Sequence, residues 1–341
     1  MKKTFEYWTK SILELEQILK DLGLRVPTGG QLEDAALLWL GTEYTAEGNP
    51  RHDDKKDFRG SWRRAISLGD LAEKIVAVRD KPDFGKLVPH LRLLVGRSDS
   101  SQFSYTDRND PGNNYIFELW VGAACLLRME DIRLDAPDGS SGGTNPDITG
   151  RYGSRRWGIA CKALNSWAVP DQGVFTASPE GFVKLVKDGV RQIEACDTID
   201  RGIVMVAMKN TFSHDAMWPA EADGRQEIYY GAYPSLEAAA KPIHDEFGAF
   251  QKQVYSLYGS KRAFFDDVFA GGKAATPILL AYPTVTGILH QGQPAFTLLN
   301  SVCAMFDDDR KMPEATRFAQ MLSACLQNRP EMADLAPVEL E

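Results

Sequence analysis

The sequence predicts an α/β fold with a helical N-terminal lobe, and three observations lead to that prediction. Apolar residues recur at helical spacing through the first hundred residues. A polar stretch, SDSSQFSYTDRNDPGNN at 98–114, then marks a boundary. Beyond it, strand-like runs are mixed with helical ones, which is typical of a sheet covered by helices. We therefore expect a helical lobe over 1–110, an α/β domain over 111–330 and an acidic tail over 331–341.

The composition is that of an ordinary globular protein, since 43% of the 341 residues are apolar and 25% are charged. The formal net charge of −8 excludes a protein that coats nucleic acid through overall positive charge, but it allows a local basic groove. Five widely spaced cysteines without a CxxC pair are expected to be reduced thiols of a cytoplasmic protein. No run approaches the length of a membrane span, so we expect none.

Three helices are predicted in the N-terminal lobe, and a shorter fourth follows Phe84. The first ends before Gly23, the second covers QLEDAALLWLG, and the third covers 61–75. The apolar stripe of the first helix consists of Phe5, Trp8, Ile12, Leu15, Leu19 and Leu22. Basic side chains at 51–64 are interleaved with two aromatic ones, so a substrate-recognition lobe is the alternative to a plain helical domain.

In the second domain the predicted order is one helix, three strands, one helix and one strand. The first helix covers 114–129, and the three strands lie near 132–134, 147–149 and 157–163. A helix at 182–196 and the strand GIVMVAM follow. Two further strands, TPILLAYPTVTGIL and PAFTLLNSVCAMF, and a helix containing 316–326 complete the prediction.

A predicted hairpin in this domain can bring an acid and a lysine together. Side chains alternate along a strand, so Lys162 points to the same face as Ala160 and away from that of Cys161. Asp147 begins the preceding strand, and a tight turn can bring it beside Lys162. Glu118 lies just off the apolar stripe of the preceding helix. An acid and a lysine that converge at a strand edge indicate a chemical site.

The sequence NPDI, a basic turn and then IACK resemble the PD-(D/E)xK nuclease superfamily over 113–208. The predicted order of elements is similar to that of the family's core, and Gln192 resembles a glutamine on its second core helix. The resemblance implies a restriction endonuclease-like core, in which a mixed central sheet is flanked by helices. It also implies a Mg²⁺- or Mn²⁺-dependent endonuclease that hydrolyses DNA, with restriction or antiphage defence as its setting.

The resemblance implies a role for each candidate residue. Asp147 would be the central metal-binding carboxylate, and Glu118 would complete or extend the site. The backbone carbonyl of Cys161 would add a ligand, and Lys162 would orient or activate the attacking water. The candidate nucleic-acid contacts in the basic turn, which otherwise simply flank a strand, are Arg151, Arg155 and Arg156.

One position departs from the family's pattern, because the second acidic residue would stand at 160 and the chain has Ala160 there. Three explanations are open. Another carboxylate supplies the missing group, the candidates being Glu118, Asp135 and Asp138. Alternatively, catalysis has been lost and a nucleic-acid-binding or scaffold protein remains, or the alanine is an engineered replacement of glutamate. An accidental match in an unrelated α/β interaction domain is the remaining interpretation.

The expected partners are DNA, a separately encoded ATPase or sensor subunit, and further copies of the chain. The glycine-rich stretch DGSSGGTN is not followed by GK[ST], so it is not a phosphate-binding P-loop. The five histidines are scattered, and we expect each to be structural. An acidic stretch at 131–147 precedes a basic one at 151–162, which is the order that a metal site followed by phosphate contacts would require.

Overall fold

The computed structural model describes residues 5–28, 31–44, 59–96, 102–103, 112–135, 137, 144–164, 176–218, 233–290, 293–308 and 312–328. The predicted acidic tail and Asp138 lie outside these residues. The strands are β1 (Glu130–Leu134), β2 (Ile148–Tyr152), β3 (Arg155–Ala163), β4 (Arg201–Ala207), β5 (Ile278–His290) and β6 (Gln293–Met305). The α-helices are α1 (Phe5–Asp21), α2 (Gln31–Tyr44), α3 (Arg59–Val78), α4 (Val88–Gly96), α5 (Gly112–Leu126), α6 (Pro179–Ala195), α7 (His214–Met217), α8 (Leu236–Leu257), α9 (Lys261–Val268) and α10 (Pro313–Leu326), and a 3-10 helix covers Pro82–Leu87.

The six strands form one mixed sheet in the order β1-β2-β3-β4-β5-β6. Strands β1, β2 and β3 make an antiparallel meander, and α6 then returns the chain so that β4 runs parallel to β3. Strand β5 is parallel to β4, and β6 is antiparallel to β5. The structure therefore confirms the α/β class and the predicted order of helix, three strands, helix and strand.

Two apolar layers cover the sheet on opposite faces, because side chains alternate along each strand. The first layer joins Ile159 and Cys161 of β3 to α5 and to the N-terminal helices. The second joins Ala160 to α6, α8 and α9. Helix α5 lies close to β1, since a Cβ atom added to Gly122 would stand 2.9 Å from a methyl carbon of Leu134. The neighbouring residues of β3 thus face different helices.

A buried polar network joins the helices before residue 97 to the sheet. Asp70 of α3 accepts hydrogen bonds at 2.7 Å from Lys74 Nζ and from the indole nitrogen of Trp120. Its Oδ1 also accepts from the side-chain amides of Asn300 at 3.3 Å and Asn328 at 2.7 Å. The carboxylate therefore connects α3, α5, β6 and the end of α10 inside one shared core.

Two further findings concern the expectations drawn from composition. All five cysteines are free thiols, and four of them are buried. Within the described part of the chain, no helix combines the length and the apolar character that crossing a membrane requires. The first finding agrees with the prediction of unpaired cysteines, and the second agrees with the prediction that no membrane-spanning helix is present there.

Candidate active site

Asp147 and Lys162 meet where β2 begins beside β3. The pairing of Ile148 with Ile159 places Asp147 next to the last third of β3. Its Oδ2 accepts the backbone N–H of Cys161 at 2.6 Å and lies 3.4 Å from Lys162 Nζ. The side chains of Asp147 and Lys162 remain 15% and 13% exposed, so solvent reaches the pair. The structure thus brings together the acid and the lysine that the hairpin spacing paired.

Glu118 approaches the same pair from α5. The residue is buried, and its Oε2 lies 3.1 Å from Nε2 of His90. The pKa of Glu118 is raised to about 9, first by burial and then by the charge of Asp147, while Lys162 opposes both effects. The predicted acids on two different elements therefore act on one another across a shared, poorly solvated space.

Asp147 shares this environment with a third acid. Burial raises the pKa of Asp147 above its usual value, while Lys162 and the N–H of Cys161 act in the opposite direction. Asp135 follows β1, and its backbone N–H donates to the carbonyl oxygen of Asp147 at 2.8 Å. The charge of Asp135 raises the pKa values of both Asp147 and Glu118. Asp135 is therefore beside the site, whereas Asp138 lies outside the described residues.

The backbone of Cys161 shapes the site more than its thiol does. The thiol is buried in the first apolar layer, and burial raises its pKa well above the usual value. In an extended strand the N–H and C=O of one residue point to the same edge. Because the N–H of Cys161 reaches Asp147, its carbonyl also faces the β2 side. The position is suited to the backbone ligand that the resemblance implies.

His90 is a residue of the site that sequence reasoning missed. It lies on α4 with no exposed surface, and burial lowers its pKa to about 4. The ring contacts that of Tyr115 on α5 edge-on, with the ring centres 6.2 Å apart. His90 and Glu118 are separated by 28 residues and belong to no common motif, so no local pattern could have paired them.

Ala160 lies on the face of the sheet that α6 covers. Its side chain is fully buried in the second apolar layer under α6. A Cβ atom added to Gly189 of α6 would stand only 3.2 Å from the Cβ of Ala160 and 3.1 Å from a methyl of Val204. The space beyond the Cβ of Ala160 is therefore already filled by α6.

Replacing Ala160 with glutamate is expected to destabilise the protein. The larger side chain would have to displace α6 at Gly189 or bury its carboxylate among apolar groups, and overpacking alone costs about 1–3 kcal/mol. Denaturant unfolding of Ala160→Glu beside the wild-type chain measures this loss. If the variant is as stable as the wild type, position 160 opens towards the solvent-accessible site instead of towards α6.

Gln192 lies near the end of α6, which packs beside the starts of β3 and β4. The next residue, Ile193, packs at the position of Gly202, which begins β4 and pairs with Gly158 near the start of β3. Lys162, by contrast, stands near the end of β3. The buried Oε1 of Gln192 has no hydrogen-bond partner in the described part of the chain. The structure does not bring Gln192 beside Lys162.

The arginines of the basic turn also lie far from Lys162 along the hairpin. Arg156 precedes Lys162 by six residues, which corresponds to about 20 Å of extended strand. The three arginines are engaged with acids: Arg151 with Glu130 at 2.7 Å, Arg155 with Glu314 at 2.8 Å and Arg156 with Asp131 at 3.7 Å. A phosphate group at this turn would have to compete with these carboxylates.

The donor atoms at the site are of the type that Mg²⁺ prefers. Within residues that the structure describes, no three His, Cys, Asp or Glu side chains are grouped closely enough to form a metal cage. Mg²⁺ is usually held by only one or two carboxylates together with water and substrate phosphate. Asp147, Glu118 and the carbonyl of Cys161 offer such a set, and a cation would relieve the repulsion between the two buried acids. The residues present therefore fit a divalent ion.

A pH dependence of stability follows from the raised pKa of Glu118. The folded protein holds the proton up to about pH 9, whereas an unfolded chain releases it near 4.5. The protonated Glu118 therefore contributes fully to the stability of the folded state below pH 4.5, and this contribution is lost as the pH rises towards 9. We expect Glu118→Gln to gain stability relative to the wild type between pH 5 and about 9, as measured by thermal unfolding with a chelator present. Parallel curves for the two proteins would contradict this assignment.

The candidate active site thus consists of Asp147, Lys162 and Glu118, with His90 and Asp135 directly beside them. These residues come from the starts and ends of separate strands and from two helices, and the antiparallel meander and α5 hold them together. Comparison with protein-family models, with curated proteins and with solved structures finds no match to this chain.

Proposed function

We propose that the chain is a metal-dependent nuclease that hydrolyses phosphodiester bonds in DNA on a restriction endonuclease-like core. One observation carries the proposal: Asp147 Oδ2 receives the Cys161 N–H and stands 3.4 Å from Lys162 Nζ, at the open end of a hairpin that also faces Glu118. The order of α5, three antiparallel strands, α6 and the parallel β4 supports it. Restriction or antiphage defence is the setting that we propose.

In this proposal Asp147 and Glu118 hold the divalent ion. Bound there, Mg²⁺ or Mn²⁺ would supply Lewis-acid polarisation of the scissile phosphate. The Cys161 N–H fixes one oxygen of Asp147, so the carboxylate does not rotate freely. The apolar layer around α5 limits the access of bulk water to Glu118, which strengthens the electrostatic interactions of both acids.

Lys162 is proposed to act on the attacking water and on the phosphate. Its ammonium group already lies beside Asp147 and is partly solvated, so it is within reach of a substrate at the same place. A positive charge placed there would orient a water molecule and offset the negative charge that develops on the phosphate oxygens. The attacking water would release its proton to solvent on the open side of the site, and the P–O bond to the leaving oxygen would break, since the opposite side is packed against α5.

The acidic overall charge is consistent with binding that is confined to this region. A formal net charge of −8 opposes sequence-blind coating of a polyanion. The arginines of the basic turn are held by Glu130, Asp131 and Glu314. A catalytically silent nucleic-acid-binding protein is the second candidate, because the family's second acid is absent at Ala160 and that position is packed under α6.

Incubation with DNA tests the proposal. Supercoiled and linear DNA are each treated with the purified chain in Mg²⁺, in Mn²⁺ and in a chelator, and a structured RNA serves as a parallel substrate. We expect metal-dependent nicking and linearisation of the plasmid. If only RNA is cut, RNA and not DNA is the substrate. Binding without cutting in either ion would favour the catalytically silent protein. If the chain shows no binding and no cutting, the proposal is overturned.

A further inference from the structure

We propose that His90 is a positioning residue, which holds one carboxylate oxygen of Glu118 so that the other oxygen is presented to the bound ion. The inference rests on the proposed function and adds a residue to it. It starts from the contact between His90 Nε2 and Glu118 Oε2 at 3.1 Å. No other hydrogen bond to the Glu118 carboxylate is found within the described residues.

The packing around His90 restricts the position of its imidazole ring. The residue has no exposed surface, and Leu91 and Leu94 anchor the same short helix in the first apolar layer. Tyr115 borders the ring from α5, one turn before Glu118. Because both α4 and α5 are packed in the core, the imidazole and the carboxylate meet in a fixed geometry rather than as two mobile side chains.

The chemistry of a neutral imidazole suits this task. A neutral imidazole carries a single N–H, on either Nε2 or Nδ1. When Glu118 is ionised, the tautomer with the proton on Nε2 donates to Oε2, whereas the other tautomer would set a lone pair against a carboxylate oxygen. Nδ1 is buried and has no partner in the part of the chain that the structure describes. The polar contact of the ring is therefore the one with Glu118.

The position of Glu118 makes such an orienting contact useful. Its side chain is 8% exposed and extends from a helix, and rotation about its last bond changes the direction in which its two oxygens present their lone pairs. A hydrogen bond donated by the Nε2–H group of His90 to Oε2 fixes that rotation and favours the ionised, metal-binding form of the carboxylate. Groups that orient a metal ligand in this way typically account for about 10–100-fold of metal affinity or activity.

Two substitutions at His90 separate positioning from packing. His90→Leu fills the buried space without a hydrogen-bonding group, and His90→Gln keeps an N–H donor close to the place of Nε2. Mn²⁺ affinity is measured without DNA by titration calorimetry, and DNA cleavage and thermal unfolding are measured on the same samples. We expect His90→Leu to bind Mn²⁺ about 10–100-fold more weakly and His90→Gln to recover most of that loss.

Two results would overturn the inference while the proposed function stands, and a third would overturn both. If the wild type binds Mn²⁺ and cuts DNA while His90→Leu does both equally well, His90 only fills space. If both variants lose affinity in proportion to their loss of thermal stability, the role of His90 is structural. If the wild type itself neither binds Mn²⁺ nor cuts DNA, the proposed function fails and the inference falls with it.

Discussion

Asp147→Asn is expected to abolish DNA cleavage while leaving the fold intact. Asparagine has nearly the same shape as aspartate, and its side-chain oxygen still accepts the Cys161 N–H that Asp147 receives at 2.6 Å. It is a poor ligand for a divalent ion. Changes outside the ligand shell already reduce activity about 10–100-fold, so loss of the central ligand should exceed the upper end of that range.

The stability of the same variant gives an independent reading. Burial raises the pKa of Asp147, which means that the folded state disfavours its charge. A neutral amide removes that penalty, so Asp147→Asn should unfold at the same temperature as the wild type or above it. A matched control is Asp131→Asn, which changes an exposed aspartate in the same meander. Equal cleavage by all three proteins would remove Asp147 from the mechanism.

Asp70→Ala is expected to have the largest effect on stability. The substitution leaves the ammonium of Lys74 buried without its counter-ion, since the side chains of both residues are only 1% exposed. Removing one partner of a buried ion pair costs about 3–5 kcal/mol. The indole N–H of Trp120 and the amides of Asn300 and Asn328 lose an acceptor as well. Denaturant unfolding at neutral pH measures the loss.

The control for this substitution is Asp80→Ala, at an aspartate that is 93% exposed just beyond α3. We expect it to change stability by less than about 0.5 kcal/mol. Burial alone would raise the pKa of Asp70, but the charge of Lys74 and the hydrogen bonds keep it below the usual value. Its contribution is therefore present at neutral pH and is lost as the pH falls below 3.8. Similar losses for the two alanine variants would contradict a special role of Asp70.

The part of the site that could be predicted from sequence is the part set by local geometry. Alternation of side chains and a tight hairpin are enough to pair Asp147 with Lys162, since both follow from residues only 15 positions apart. The order of helices and strands from α5 to β4 was predictable for the same reason, because each element carries its own apolar pattern. Gly23, with a positive φ of 70°, likewise ends the first helical segment where the sequence predicts.

The remaining features depend on contacts between distant segments. The contact of His90 with Glu118 arises from the packing of α4 against α5, for which the two sequences carry no shared signal. The direction of Ala160 under α6 depends on Gly189, which lies 29 positions further along the chain. Helices α8 and α9 were not predicted, and Pro242 inside α8 interrupts the propensity pattern that identifies a helix.

The proposed nuclease site is tested most directly by a Mn²⁺ titration, in which the rate of nicking of supercoiled DNA is compared between the wild type and Lys162→Ala. We expect wild-type nicking that saturates with Mn²⁺ and stops when a chelator is added. Lys162→Ala should nick at least about 100-fold more slowly at saturating Mn²⁺, because the charge beside the phosphate is missing. No nicking by the wild type at any Mn²⁺ concentration, or equal rates for the two proteins, would contradict a nuclease site built on Asp147 and Lys162.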